Sequence, residues 1–313
     1  MKLKSRFFLL FILIPGFAGA FELKYAPEIS TTAFLRWNVT KGPIHVTLNP
    51  AGSDDLLTGD VENAVNRALL TWEKVTRQQV RFQYAGRDSR AVVNSSDYIN
   101  SIVWEERDWQ YGDSTLAVTA YSYYLDDPPE VIDTDIEFNG RDFRWSVNGN
   151  TDQSTSDVEQ VLMHELGHLL GLAHSSVVNA SLYPYVGREV RHKLSLDDRS
   201  GVRFLYGQKT ADFRSITPVN KATYVEGMSK RGLPLPVFRW SGLNRNDFRL
   251  EFSDTPTFAK KISWTVGREN FYQLKPSQEQ KLLRLSSVNK IYWRVTSQGE
   301  TTKVRLLQFG PAR

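Results

Sequence analysis

Apolar and polar residues follow different rhythms along this chain, and the rhythms predict strands and helices. Residues 44–49 alternate between the two classes, which predicts a strand. In residues 60–75 the apolar positions Val61, Ala64, Val65, Ala68, Leu69, Trp72 and Val75 share one face of a helix. Short apolar-rich runs at 80–84, 101–104, 115–121 and 131–138 predict four more strands, separated by turns rich in Gly, Asp and Pro. A second helix is marked by Ser156 as N-cap with Glu159 three residues on. It continues through Val158, Val161, Leu162, Leu166 and Leu169 to Gly171, where a left-handed stop is expected. A third helix is predicted over 194–206, closed by Gly207. Helices laid among short strands give an α+β fold with a twisted mixed sheet and three helices.

The texture changes near residue 216. Short β-like runs such as 237–240, 248–252 and 290–295 follow one another with turn residues between them, and no helix is predicted. An all-β sandwich with Trp240 and Trp293 in its core is expected over residues 214–313. Charge supports the division. Residues 21–213 carry 18 basic and 28 acidic side chains, a net −10, whereas 214–313 carry 18 and 7, a net +11. Such asymmetry between halves points to two domains, 21–213 and 214–313.

Residues 1–20 stand apart. Lys2, Lys4 and Arg6 precede an apolar run over 7–14, and Ala18-Gly19-Ala20 completes the layout of a cleavable signal peptide, with Phe21 as the new N-terminus. The apolar run is far short of the ~20 residues that a membrane-spanning helix needs. The expected location is therefore outside the cytoplasm, secreted or periplasmic, with no transmembrane segment after cleavage. The chain contains no cysteine, which excludes disulfides, thiolate nucleophiles and thiolate metal ligands.

The second helix carries His164-Glu165-Leu166-Gly167-His168. Positions four apart lie on one face of a helix, so both imidazoles can reach one metal ion. Gly171 allows a sharp break, after which His174 can return as a third ligand. Three imidazoles with a fourth position open describe a catalytic zinc site, because structural zinc closes its sphere with four protein ligands. Glu165, displaced around the helix from His164, is placed to act as general base on a zinc-activated water and later as general acid toward the leaving amine.

These residues resemble the zinc-binding consensus of the metzincin metallopeptidases, and within them the matrixin (matrix metalloproteinase-like) branch. The likeness extends to Ala180-Ser181-Leu182-Tyr183-Pro184, at the spacing of the family's turn beneath the metal, and to Leu194 through Gly207, which is similar to its closing helix. The resemblance implies a metzincin-like catalytic domain followed by a fibronectin type III-like sandwich. It also implies a metalloendopeptidase acting on internal bonds of protein or peptide substrates. It places Leu116, Ala117 and Val118 on the rim that binds substrate, Pro184 at the primed-side pocket, and Leu182 in the supporting turn. Three departures are visible. Leu182 stands where the family has methionine, Val186 where it usually has tyrosine, and no cysteine is present to hold a propeptide. The last feature is expected of a bacterial type.

The run Asp133-Thr134-Asp135-Ile136-Glu137 lacks histidines for a second zinc, and its oxygens suit calcium as a further candidate ion. The basic C-terminal part is a candidate for contact with an anionic surface or polysaccharide; no specific nucleic-acid reader is present. A monomer is expected. His45 and His192 read as surface or packing residues. The alternative function is a catalytically inactive protease scaffold that binds a cell surface or polymer.

Overall fold

The structure is a computed structural model. It describes residues 21–26, 34–95, 97–125, 129–147, 149, 154–186, 190–207, 215–218, 221–225, 228, 235–241, 247–267, 271–286 and 289–310. The expected signal segment 1–20 lies outside the described residues. By proximity the chain divides into two units. Of the described residues, one unit holds those within 23–173 and 185–194, and the other holds 21–22 and those within 174–184 and 195–310. Among the described residues no helix is long and apolar enough to cross a membrane.

In the first unit the described strands are β1 (Glu22–Leu23, whose first residue belongs to the other unit), β2 (Arg36–Trp37), β3 (Ile44–Leu48), β4 (Phe82–Arg87), β5 (Ser101–Glu105), β6 (Ala117–Tyr124), β7 (Glu130–Asn139), β8 (Arg144–Ser146), β9 (Thr155–Asp157) and β10 (Leu172–Ala173). Its main sheet has the order β2-β7-β5-β3-β4, all parallel, with β6 antiparallel on β7. This is the mixed sheet that the sequence predicts. Its inner face is filled by large rings: Trp104 stacks on Phe138 at 4.4 Å, and Trp145 meets Phe138 edge-on at 5.0 Å.

Helix α1 (Thr58–Val75) buries Val61, Ala64, Val65, Ala68, Leu69 and Trp72, the stripe that the 3.6-residue period marks out. It packs on α2 (Val158–Leu169). The Trp72 indole N–H donates to Met163 O at 3.0 Å, and Arg67 donates to the Glu159 carboxylate at 2.5 Å. One boundary differs from expectation. The N-cap of α2 is Asp157, whose carboxylate accepts from Gln160 N at 2.8 Å, and not Ser156. Ser156 is held in β9 opposite Trp145, so the chain cannot turn into the helix until one residue later. Glu159, free of a capping role, becomes the partner of Arg67.

In the second unit α3 (Leu196–Tyr206) begins at Ser195, whose hydroxyl accepts from Asp197 N and Asp198 N while the Asp198 side chain accepts from Ser195 N. The remaining strands are β11 (Ser215–Thr217), β12 (Ala222–Val225), β13 (Val237–Trp240), β14 (Phe248–Ser253), β15 (Ile262–Gly267), β16 (Phe271–Gln273), β17 (Lys290–Ser297), β18 (Glu300–Thr301) and β19 (Arg305–Gly310). They form a three-stranded sheet, β11-β13-β16, and a larger one, β12-β19-β17-β14-β15, with β18 on β17. Phe238 of the first sheet meets Phe252 and Trp293 of the second edge-on at 4.9 and 4.8 Å, so the two sheets share one core. Trp240 and Trp293 are both buried there, as expected.

This part is not purely β. Helix α4 (Pro276–Leu285) joins β16 to β17. Pro276 supplies a preset φ at the first helical position, and Gln278 turns back to accept from Lys275 N at 2.9 Å. Leu282 enters the sandwich core, while the other face of the helix stays polar. The helix is short and only one of its residues is a fully buried hydrocarbon, so it leaves a faint periodic signal among strong β patterns.

Replacing Trp72 by Ala removes a fully buried ring and its hydrogen bond to α2. A loss of about 3–5 kcal/mol is expected in urea unfolding. A loss below about 1 kcal/mol would show that α1 does not anchor α2 through this residue.

Candidate active site

Helix α2 ends as its metal-ligand pattern requires. Leu170 N–H still donates to Leu166 O, and Gly171 then adopts a φ of +91°, a left-handed conformation that favours glycine. Lys24 N–H donates to Gly171 O at 2.8 Å and the Trp37 indole to Leu169 O at 2.9 Å, so the last carbonyls of the helix are satisfied by chain far away in sequence. His164 and His168 sit one turn apart with ring centroids 4.7 Å from each other and planes near perpendicular. His164, His168 and His174 each offer one imidazole nitrogen, all within 4.8 Å of one another.

One of the rings also shows its tautomer. His168 is buried, and its Nδ1 lies 2.8 Å from Leu172 O. A carbonyl can only accept, so Nδ1 carries the proton and Nε2 keeps its lone pair for a metal. Three imidazole nitrogens meeting at a point fit zinc, and among the described residues no fourth side-chain donor joins that group, as a catalytic ion would require. Among the described residues this is the one cluster of histidine, aspartate or glutamate with metal-ligand proximity.

Glu165 is 4 % exposed and lies beside this cluster. Burial raises its carboxyl above the ordinary range, opposed by His164, by a hydrogen bond from Thr119 and by Lys24. Thr119, on β6, donates its hydroxyl to Glu165 Oε2 at 2.6 Å. No feature of the sequence pattern singled out Thr119, since a threonine in a half-buried strand reads as an ordinary strand residue.

The segment His174–Pro184 is held by the start of α3. Ser175 N–H donates to Leu182 O at 2.7 Å, which closes the turn that contains Leu182, itself 1 % exposed. Ser175 Oγ donates to Asp197 at 2.6 Å, and Asp198 accepts from Ser181 N and Leu182 N at 2.9 and 3.1 Å. Asp197 also accepts from Phe21 N with both oxygens, at 2.8 and 2.7 Å. Burial pushes Asp197 up to about 7. From the sequence, Asp197 and Asp198 are simply favourable charges at a helix start; in the structure they are the scaffold of the turn after His174.

The other sequence-predicted positions are placed as follows. Leu116 directly precedes β6, and Ala117 and Val118 begin it; β6 pairs only with β7 among the described strands. Pro184 is partly buried, and Tyr185 and Val186 are exposed. His45 is exposed, and His192 donates from Nε2 to the Asp157 carboxylate at 2.7 Å, so neither joins the imidazole cluster. Asp133 and Asp135 are buried, not solvated. Asp135 accepts from Asn94 N and Ser101 N, and Asp133 lies beside the backbone N–H groups of Tyr98 and Thr134, which oppose the rise in its pKa.

Comparison with known proteins decides the family. A family profile described as Matrixin matches residues 36–207, more than half of the chain and the whole imidazole cluster. The chain belongs to the matrixin family. It is 29 % identical to karilysin of Tannerella forsythia over 216 residues, which is 67 % of this chain and 41 % of karilysin. It is 34 % identical to stromelysin-1 of Mus musculus over 161 residues, 50 % of this chain and 30 % of that protein. It is 29 % identical to metalloendoproteinase 2-MMP of Arabidopsis thaliana over 178 residues, 55 % of this chain and 43 % of the relative. The chain thus spans less than half the length of these matrixin relatives.

The buried acids of β7 lead to an expected pH dependence of stability. Burial, reinforced by the charge of Asp135, pushes Asp133 up to about 8, and burial pushes Asp135 up to about 7. Both values lie above the unfolded one, so the folded chain holds more protons between about pH 4 and 8 and loses stability as pH rises through that window. Thermal melts of the metal-free chain at pH 5 and pH 8.5 are expected to show the fall, and a smaller fall in Asp133→Asn. Equal falls in both proteins would contradict the assignment.

Proposed function

We propose that this matrixin is an exported zinc metalloendopeptidase that hydrolyses internal peptide bonds of proteins, with His164, His168 and His174 as metal ligands and Glu165 as general base and then general acid. The observation that carries the reading is the meeting of three imidazoles beside a buried carboxylate whose proton affinity burial raises. Zinc held by the three rings would supply Lewis acidity, polarising a peptide carbonyl and making water more acidic. Glu165 takes the proton of the attacking water and delivers it to the nitrogen of the leaving amine, so the bond that breaks is the peptide C–N bond. Its raised proton affinity suits both duties near neutral pH.

Substrate binding follows from the sheet. β7 is the one strand that pairs with β6 among the described strands, so an extended peptide could add on the other side of β6 as a further strand. Leu116, Ala117 and Val118 would bind the chain there and Pro184 would border the primed-side pocket. The place of β6 at the end of the sheet supports the first assignment.

Export and processing form the next part of the reading. Cleavage after Ala20 would give Phe21 an α-ammonium in place of its amide. Phe21 N already lies within 2.8 Å of both oxygens of buried Asp197, where a cation would neutralise a carboxylate otherwise pushed toward protonation. Calcium near Asp133 and Asp135 is supported by the closeness of the Asp133, Asp135 and Asp97 carboxylates, each near enough for its charge to act on Asp133. The sandwich is read as a fibronectin type III-like domain of residues 214–313, beyond the end of the family match. The strand grouping β11-β13-β16 against β15-β14-β17-β19 supports it. Its surplus of positive charge would favour anionic polymers, although Glu251 already pairs with Lys261 and Arg294.

The test uses the chain from Phe21 beside Glu165→Ala. Both are expected to bind one zinc per chain, with cleavage of a quenched peptide library lowered about 10²–10⁴-fold in the variant. Bound zinc with no cleavage by the parent would favour the binding-scaffold alternative, and a folded parent that takes up no zinc would overturn the reading. N-terminal sequencing of the exported protein is expected to begin Phe-Glu-Leu-Lys; another start would refute the cleavage site.

A further inference from the structure

A buried carboxylate that must accept and release one proton needs to be held in a single orientation, and the structure shows what holds Glu165. The side chain has three rotatable bonds before its carboxylate, and it is almost fully buried beside the imidazole cluster. The hydroxyl of Thr119 donates to Oε2 at 2.6 Å, within the short range of a charge-assisted O–H···O⁻ bond. The same oxygen lies 3.3 Å from Glu165 O, so one hydroxyl addresses both ends of the residue. No other hydrogen bond to the Glu165 carboxylate is made among the described residues.

The anchor points are rigid on both sides. Thr119 is fixed in the β6–β7 ladder opposite Ile136, and its β-branched side chain has few rotamers to choose from. Glu165 lies within α2, which is clamped to α1 two residues earlier through Met163 O. The distance between hydroxyl and carboxylate is therefore set by the contact of helix and edge strand, not by the flexibility of either side chain.

We propose that Thr119 is the positioning residue of Glu165: it occupies Oε2 and thereby makes Oε1 the atom that exchanges the proton. This rests on the reading of Glu165 as general base. While Glu165 is ionised, the threonine proton sits on Oγ1 and points to Oε2. When water gives a proton to Oε1, Oε2 becomes the carbonyl oxygen of a carboxylic acid and still accepts the same O–H. When Oε1 passes that proton to the departing amine, the ionised state returns. The Thr119 hydroxyl keeps its proton and its direction through the cycle, so the carboxyl group need not rotate between its two duties.

The experiment compares the chain from Phe21 with Thr119→Val, which keeps the shape and removes the hydroxyl, and with Thr119→Ser, which keeps the hydroxyl. Losing one hydrogen bond to a charged group predicts a fall in kcat of about tenfold or more for Val, with KM changed less than about twofold. Zinc should remain at one per chain in every variant. Ser should restore kcat to within about threefold of the parent. A readout independent of turnover comes from thermal melts of the metal-free proteins: Thr119→Val should lower the midpoint in the parent but hardly at all in Glu165→Ala.

A Val variant with parental kcat, or a Ser variant as slow as Val, would overturn the proposal. Equal midpoint losses in both backgrounds would do so too. A parent that binds zinc and cleaves nothing would refute the hydrolytic reading and the positioning role with it. In that case the melts would still report whether the bond between Thr119 and Glu165 exists, which separates the two failures.

Discussion

A helix can point two imidazoles at one ion when they are four residues apart, but it cannot supply a third from the same face without crowding its own turn. The chain must stop, reverse and come back. In this matrixin the reversal is made at Gly171, whose positive φ is out of easy reach of residues with a side chain. Immediately beyond it, Leu172 O fixes the tautomer of His168, and His174 brings the third nitrogen to within 4.8 Å of the other two. Helix termination, ligand chemistry and ligand placement are thus one local event. The rest of the fold secures it: α1 holds the helix through Trp72 and Met163, and Lys24 and Trp37 satisfy its last carbonyls.

The polar groups nearest this event are used with little redundancy. Asp157 caps α2 and also accepts from Gly149 N and bonds His192. Asp198 caps α3 and also holds the backbone of Ser181 and Leu182. Such shared acceptors make the loops around the site dependent on helix ends, so the loops inherit helix rigidity. Leu182 fits this arrangement without strain: the turn is closed by its backbone, and its side chain need only be apolar and of suitable size.

Much of this was legible in the sequence because it follows from period and spacing. The face of α1, the five main-sheet strands between residues 44 and 139, the His164–His168 spacing and the glycine stop all come from local rules. What was not legible depends on distant partners. Ser156 and Asp157 are both good caps, and only the pairing of Ser156 with Trp145 decides between them. Thr119 acquires meaning from a helix that begins some forty residues later. Asp133 and Asp135 look like a solvated acidic stripe until the sheet buries them. The helix α4 could have been found from Pro276 followed by Gln278 and Glu279, a helix-start signature that strong flanking strands obscured.

If three imidazoles and no fourth protein ligand hold one zinc ion, X-ray absorption at the zinc edge of the loaded chain should show it. Three imidazole nitrogens at ~2.0–2.1 Å are expected, with the remaining position filled by a light, exchangeable ligand. A shell closed by four protein groups, or one with fewer than three imidazoles, would contradict it.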